Sequence, residues 1–102
     1  MKAHLLVNIT GGDLMGDGSV EISTLVTDSR TSGADGSSLF VALRGVNHDG
    51  HKFINDLYNK GVRAFLVENF PSDAAARKGA AFIKVEDTLE ALHKISAWRR
   101  NN

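Results

Sequence analysis

Three short apolar runs, at residues 39–43, 64–67 and 81–85, constrain this chain most. Each has the length of a strand, is bounded by turn residues and reads as buried in a sheet. Helical patterns stand between and after them. Phe53, Ile54, Leu57 and Tyr58 fall at i, i+1, i+4 and i+5, on one helix face, with Asn55, Asp56, Asn59 and Lys60 opposite. Gly61 follows in the C′ position, where a left-handed residue ends a helix. Further on, Asp87-Thr88-Leu89-Glu90 is close to a capping box, an oxygen-bearing N-cap with Glu three residues later. The helix after it is expected to bury Leu89, Leu92, Ile95 and Trp98. His93, Lys94, Arg99 and Arg100 stand off that face or near the helix end, where positive charge suits the dipole. Strands alternating with helices predict an α/β domain: a small mixed or largely parallel sheet with flanking helices.

The rest of the chain is punctuation around these elements. Residues 4–9 suit either a short helix ended by Gly11 or a strand. Gly16-Asp17-Gly18-Ser19 reads as a hairpin turn, and it lacks the third glycine of a dinucleotide fingerprint. Val20, Ile22, Leu25 and Val26 suggest a strand leading to an Asp28-Ser29-Arg30 turn, and residues 31–38 form a polar loop. Phe70-Pro71-Ser72-Asp73 breaks the pattern, and residues 74–78 suit one helical turn. No repeat, low-complexity tract or second domain is visible.

A length of 102 residues allows one small domain with a modest core. Twelve basic and twelve acidic residues cancel, which argues against a general nucleic-acid binder but leaves room for a local anion site. Cysteine is absent, so disulfides, a thiolate metal site and a thiol nucleophile are excluded. No apolar run approaches the ~20 residues of a membrane helix. The apolar stretch after Met1 is too short for a signal-peptide core. A cytoplasmic protein with neither nucleic-acid nor membrane partners fits these observations. The chain ends at Asn102 inside a helical pattern, so residues 1–102 are expected to be one domain cut from a longer protein. A complete small protein with a frayed end is the alternative.

Several chemistries are weak on the residues alone. No Gly-Lys pair occurs, so the phosphate-cradling loop of ATP-using enzymes is missing. His48 and His51 flank Asp49, but zinc needs three or four converging ligands and no third presents itself, so no metal site is expected. A triad built on Asp28, Ser29 and a histidine lacks the G-x-S-x-G elbow. The simpler reading of Asp28-Ser29 is a turn whose short side chains satisfy its own amides and offer a hydroxyl. Asp49-Gly50 can cap a helix opening near His51, and can also lead exposed amides toward carbonyl or phosphate oxygens. Arg30 can grip a phosphate through its fork or make an internal ion pair; the sequence slightly favours the ion pair.

Taken in order, the blocks Thr27-Asp28-Ser29-Arg30, Leu39-Phe40-Val41-Ala42-Leu43-Arg44-Gly45 and Asp49-Gly50-His51-Lys52-Phe53-Ile54 resemble the N-terminal domain of the Mur ligases MurE and MurF. The likeness extends from Thr10-Gly11-Gly12-Asp13-Leu14 to Val85-Glu86-Asp87-Thr88-Leu89-Glu90-Ala91-Leu92. Its central block looks most like MurF, including MurF portions fused to an alanine racemase. The resemblance implies a domain that binds the UDP end of a UDP-N-acetylmuramoyl-peptide during peptidoglycan synthesis. It nominates Thr27, Ser29 and Arg30 in one loop and Val46, Asn47, His48, Asp49 and Gly50 in another. Asn47 carries the donor and acceptor that read a uracil edge. It also implies that ATP and Mg are used by a central domain, and that a C-terminal domain brings the amino component. No cofactor is expected within this stretch and no catalytic residue is nominated, so the stretch should not ligate alone. A non-catalytic nucleotide or phospho-ligand module on the same fold is the competing expectation.

Overall fold

Every one of the three apolar runs forms a strand, and the burial of each alternates between two faces of one sheet. A computed structural model of the chain describes residues 1–27, 36–45, 48–49, 53–70 and 79–101, with backbone alone for 44, 45, 48, 49 and 101. Its elements in chain order are α1 (Ala3–Thr10), β1 (Asp13–Gly16), β2 (Thr24–Val26), β3 (Ser38–Val41), β4 (Arg44–Gly45), β5 (His48–Asp49), α2 (Ile54–Asn59), β6 (Ala64–Val67), β7 (Ala81–Lys84) and α3 (Thr88–Asn101). The main sheet runs β1-β7-β6-β3-β2. β2, β3, β6 and β7 are parallel, and β1 joins β7 antiparallel at one edge. β4 and β5 form a separate two-stranded ribbon. The expected mixed α/β sheet with flanking helices is what the chain adopts.

All four residues of β3 and of β6 are buried, as in a sheet covered on both faces. On one face, Leu39, Val41, Ala64, Leu66, Ala81 and Ile83 pack with Ala3 and Leu6 of α1 and Ala91 and Ile95 of α3. The small Ala64 and Ala81 leave room there for the two helices. On the other face, Phe40, Phe65 and Phe82 stand in register across adjacent strands. Phe65 stacks on Phe82 with ring centroids 5.0 Å apart and meets Phe40 edge-on at 6.5 Å. Ile54 and Leu57 of α2 cover this aromatic row, with Phe53 and Tyr58 partly buried beside them. The Arg63 guanidinium lies 4.0 Å from the Tyr58 ring centre and donates to the Tyr58 carbonyl at 2.8 Å, which ties the α2–β6 turn.

The first segment resolves to a helix. Gly11 ends α1 in the left-handed region at φ 74° and returns its N–H to Val7 O, a conformation only glycine adopts without strain. Gly61 likewise follows α2, and its N–H donates to Tyr58 O.

Four expectations need correction. The turn at Asp17 is real, with Asp17 Oδ1 accepting from the Ser19 N–H, but it closes no hairpin: β1 pairs with β7, not with the next strand. The strand expected from Val20 begins only at Thr24, because Glu21 bridges to Lys2 and Ile22 N–H donates to Met1 O. Helix α2 opens at Ile54, with Phe53 at its N-cap and no side-chain cap, whereas Asp49 has its backbone in β5 opposite Arg44. Leu89 is 50% exposed rather than buried. Thr88, Ala91 and Ile95 are the residues that α3 turns inward, and Leu89 stands about 100° further round the helix. The turns expected at residues 28–35 and 74–78 lie outside the described residues.

Candidate functional site

The carboxyl ends of β2, β3, β6 and β7 share one rim of the sheet, the place where open α/β sheets bind their ligands. Different things stand at its two halves. Beyond β2 comes Thr27, exposed. Beyond β3, the chain turns at Ala42 and Leu43 into the β4–β5 ribbon, with Gly45 opposite His48 and Arg44 opposite Asp49. Of the nominated residues, Thr27 directly follows β2, and the backbones of His48 and Asp49 stand in the ribbon that follows β3. Ser29, Arg30, Val46, Asn47 and Gly50 lie outside the described residues.

The other half holds a cavity of about 590 Å³ beyond β6 and β7. Its wall includes the acidic residues Asp13, Glu68, Glu86, Asp87 and Glu90. Lys84 and Lys94 are the basic residues of the wall, and Lys94 is 3.4 Å from Glu90 one helical turn away. Gly12 closes one side, so near that a Cβ would fall 2.5 Å from the Lys84 carbonyl oxygen. The N-terminus of α3 faces this cavity with its amides already used. Asp87 Oδ1 accepts from Leu89 N–H at 2.9 Å and from Glu90 N–H at 3.2 Å. Glu68 Oε2 accepts from Thr88 N–H at 3.1 Å. The capping residue expected at Asp87 therefore does cap, and these amides are not offered to an incoming phosphate.

A net excess of carboxylates with helix amides internally satisfied is a poor anion site. No group of three or more His, Asp or Glu side chains is arranged to hold a metal ion among the described residues. No helix among them is long and apolar enough to cross a membrane. Glu68 and Lys84 carry no motif that marks them as site residues, and Thr88 is marked only as part of the capping segment. The signal for Glu68 is position: it follows the end of an apolar strand run, where residues stand at the rim.

Known proteins sharpen this picture. A family model described as Mur ligase family, catalytic domain, matches residues 21–100. The UDP-N-acetylmuramoyl-L-alanyl-D-glutamate--2,6-diaminopimelate ligase of Phocaeicola vulgatus is 34% identical over 94% of this chain and 19% of its own length. The UDP-N-acetylmuramoyl-tripeptide--D-alanyl-D-alanine ligase of Buchnera aphidicola is 35% identical over 81% of this chain and 17% of its own. A crystal structure of MurF from Acinetobacter baumannii matches with a TM-score of 0.81 and 32% identity, over 98% of this chain and 21% of that one. The chain spans about a fifth of the length of the relatives it matches.

Proposed function

This chain belongs to the Mur ligase family, and on that premise we propose that it is the substrate-docking part of a UDP-N-acetylmuramoyl-tripeptide--D-alanyl-D-alanine ligase, MurF. The likeness to Acinetobacter MurF over 98% of the chain carries this reading. In it, residues 1–102 form one domain that holds the UDP end of the precursor against the β2–β3 half of the rim. Thr27, Ser29 and Arg30 approach from one side, and Val46, Asn47, His48, Asp49 and Gly50 from the ribbon. The domain's share in catalysis is positional: with the nucleotide fixed, the distant carboxylate meets ATP in a reactive orientation. ATP, Mg and the amino component belong to other parts of such an enzyme, which acts in the cytoplasm. This stretch alone forms no amide bond.

The similarity to the diaminopimelate ligase supports a second reading, the equivalent part of MurE. Both substrates share their UDP end, so a domain contacting only that end serves either enzyme. Calorimetry with UDP-N-acetylmuramoyl-tripeptide, the corresponding dipeptide and ATP tests the common core of the two readings. Binding of both precursors without ATP binding is expected. Binding of ATP without either precursor would contradict it.

A further inference from the structure

Two polar side chains are buried among the described residues, Ser38 and Thr88; Ser38 pairs with Thr24 on the neighbouring strand, whereas Thr88 reaches further. It is 1% exposed, opens α3, and its hydroxyl reaches a backbone carbonyl 46 residues away: Oγ1 lies 3.0 Å from Ala42 O. That carbonyl sits where the chain leaves the sheet. Ala42 N–H donates to Leu66 O at 2.9 Å, and Leu43 N–H folds back on Val41 O at 3.0 Å. Two residues beyond Ala42 the ribbon begins at Arg44. The bond from Thr88 to Ala42 therefore acts at the root of the ribbon. Glu68 Oε2 holds Thr88 from the other side, accepting its N–H at 3.1 Å and lying 3.2 Å from its Oγ1. One hydroxyl proton thus stands between two acceptors, the Ala42 carbonyl and the Glu68 carboxylate.

We infer that Thr88, held by Glu68, is a positioning residue that aims the β4–β5 ribbon and so sets the affinity of the nucleotide site; the second half of this statement rests on the docking role proposed above. A side chain bonded to the last residue before a ribbon fixes the direction in which that ribbon leaves. Small misplacements of a binding group are costly. The Thr88 side chain touches no ligand in this scheme. It links helix α3 to the ribbon.

The test compares the isotope-labelled chain with its Thr88→Val, Thr88→Ser and Glu68→Gln variants, first free and then with UDP-N-acetylmuramoyl-tripeptide. In the free protein, Thr88→Val should move the carbonyl resonance of Ala42 and the amides of residues 43–49, while Thr88→Ser leaves them near their wild-type positions. Glu68→Gln, which weakens the competing acceptor, should move the Ala42 carbonyl in the opposite direction to Thr88→Val. With ligand, Thr88→Val should bind about five- to tenfold more weakly, the scale of one hydrogen bond, and Thr88→Ser within about twofold of wild type. Unmoved ribbon resonances in Thr88→Val, or a Thr88→Ser variant that behaves like Thr88→Val, would overturn the inference. If Thr88→Val does not fold, a Glu68→Gln variant with an unmoved Ala42 carbonyl overturns it instead. If wild type fails to bind the precursor while the free-protein shifts appear as expected, the docking reading fails and the positioning of the ribbon stands.

Discussion

The two halves of the carboxyl rim are built from the same kind of strand end, yet they are finished differently. Beyond β6 and β7 the chain spends its own carboxylates on its own amides: Asp87 and Glu68 take the leading N–H groups of α3. Beyond β2 and β3 it continues instead into an exposed Thr27 and a small ribbon. A strand end by itself is therefore not a ligand site. What decides is whether the polar groups gathered there already answer one another. An anionic ligand such as the proposed nucleotide would find the acidic half closed to it by sign as well as by saturation.

The largest change that bears on this contrast acts beneath both halves. Phe65 is fully buried at the centre of the aromatic row. Phe65→Ala should lower stability by about 3–5 kcal/mol, read from the midpoint of urea unfolding. Both halves should unfold together in that variant; separate transitions would mean that they are not parts of one cooperative sheet. A smaller change separates the halves. Asp87→Ala removes the cap of α3 and should cost about 1 kcal/mol. Amide resonances at residues 84–94 should move in this variant, while Thr27 keeps its own; residues 43–49 are reached only through Thr88 and should move less than residues 84–94. Movement of Thr27 as large as that at residues 84–94 would break the contrast.

The smallest effect belongs to neither half. Asp17 follows β1 at the opposite end of the sheet, and hydrogen bonds from the Ser19 hydroxyl and N–H hold its carboxyl below the ordinary value of 3.8. A carboxyl lowered on folding adds stability that is fully present above its unfolded value. That stability is lost as pH falls through the folded one. The contribution should thus be constant above about pH 5 and fade below about pH 4. Asp17→Asn should flatten that acid limb of the unfolding midpoint and leave ligand binding untouched.

Much of the scaffold was legible because burial writes itself into sequence. The runs that became β3, β6 and β7 are apolar and short, and the α2 pattern of Ile54, Leu57 and Tyr58 was correctly placed on its core face. Asp87 was legible as a cap because its chemistry is local. Pairing was less so: nothing near Asp13 announces that β1 joins β7, whose partner residues lie some 70 positions away in the chain, Asp13 opposite Lys84. Leu89 misled because an apolar residue at helical spacing need not lie on the face that tertiary packing selects. Thr88 took that face instead, since its hydroxyl had a carbonyl to reach. The blocks that carry the family resemblance were legible as a motif, whereas the cavity beside them arises only when Thr10, Glu68 and Lys94 meet across the fold.

One measurement bears most directly on the division of the rim: amide chemical-shift mapping of the labelled chain during titration with UDP-N-acetylmuramoyl-tripeptide. Shifts are expected to be largest at Thr27 and residues 44–49, with Lys84, Glu86 and residues 90–94 left in place. Shifts centred on the acidic cavity, with Thr27 and the ribbon unmoved, would contradict the assignment of the nucleotide to the β2–β3 half.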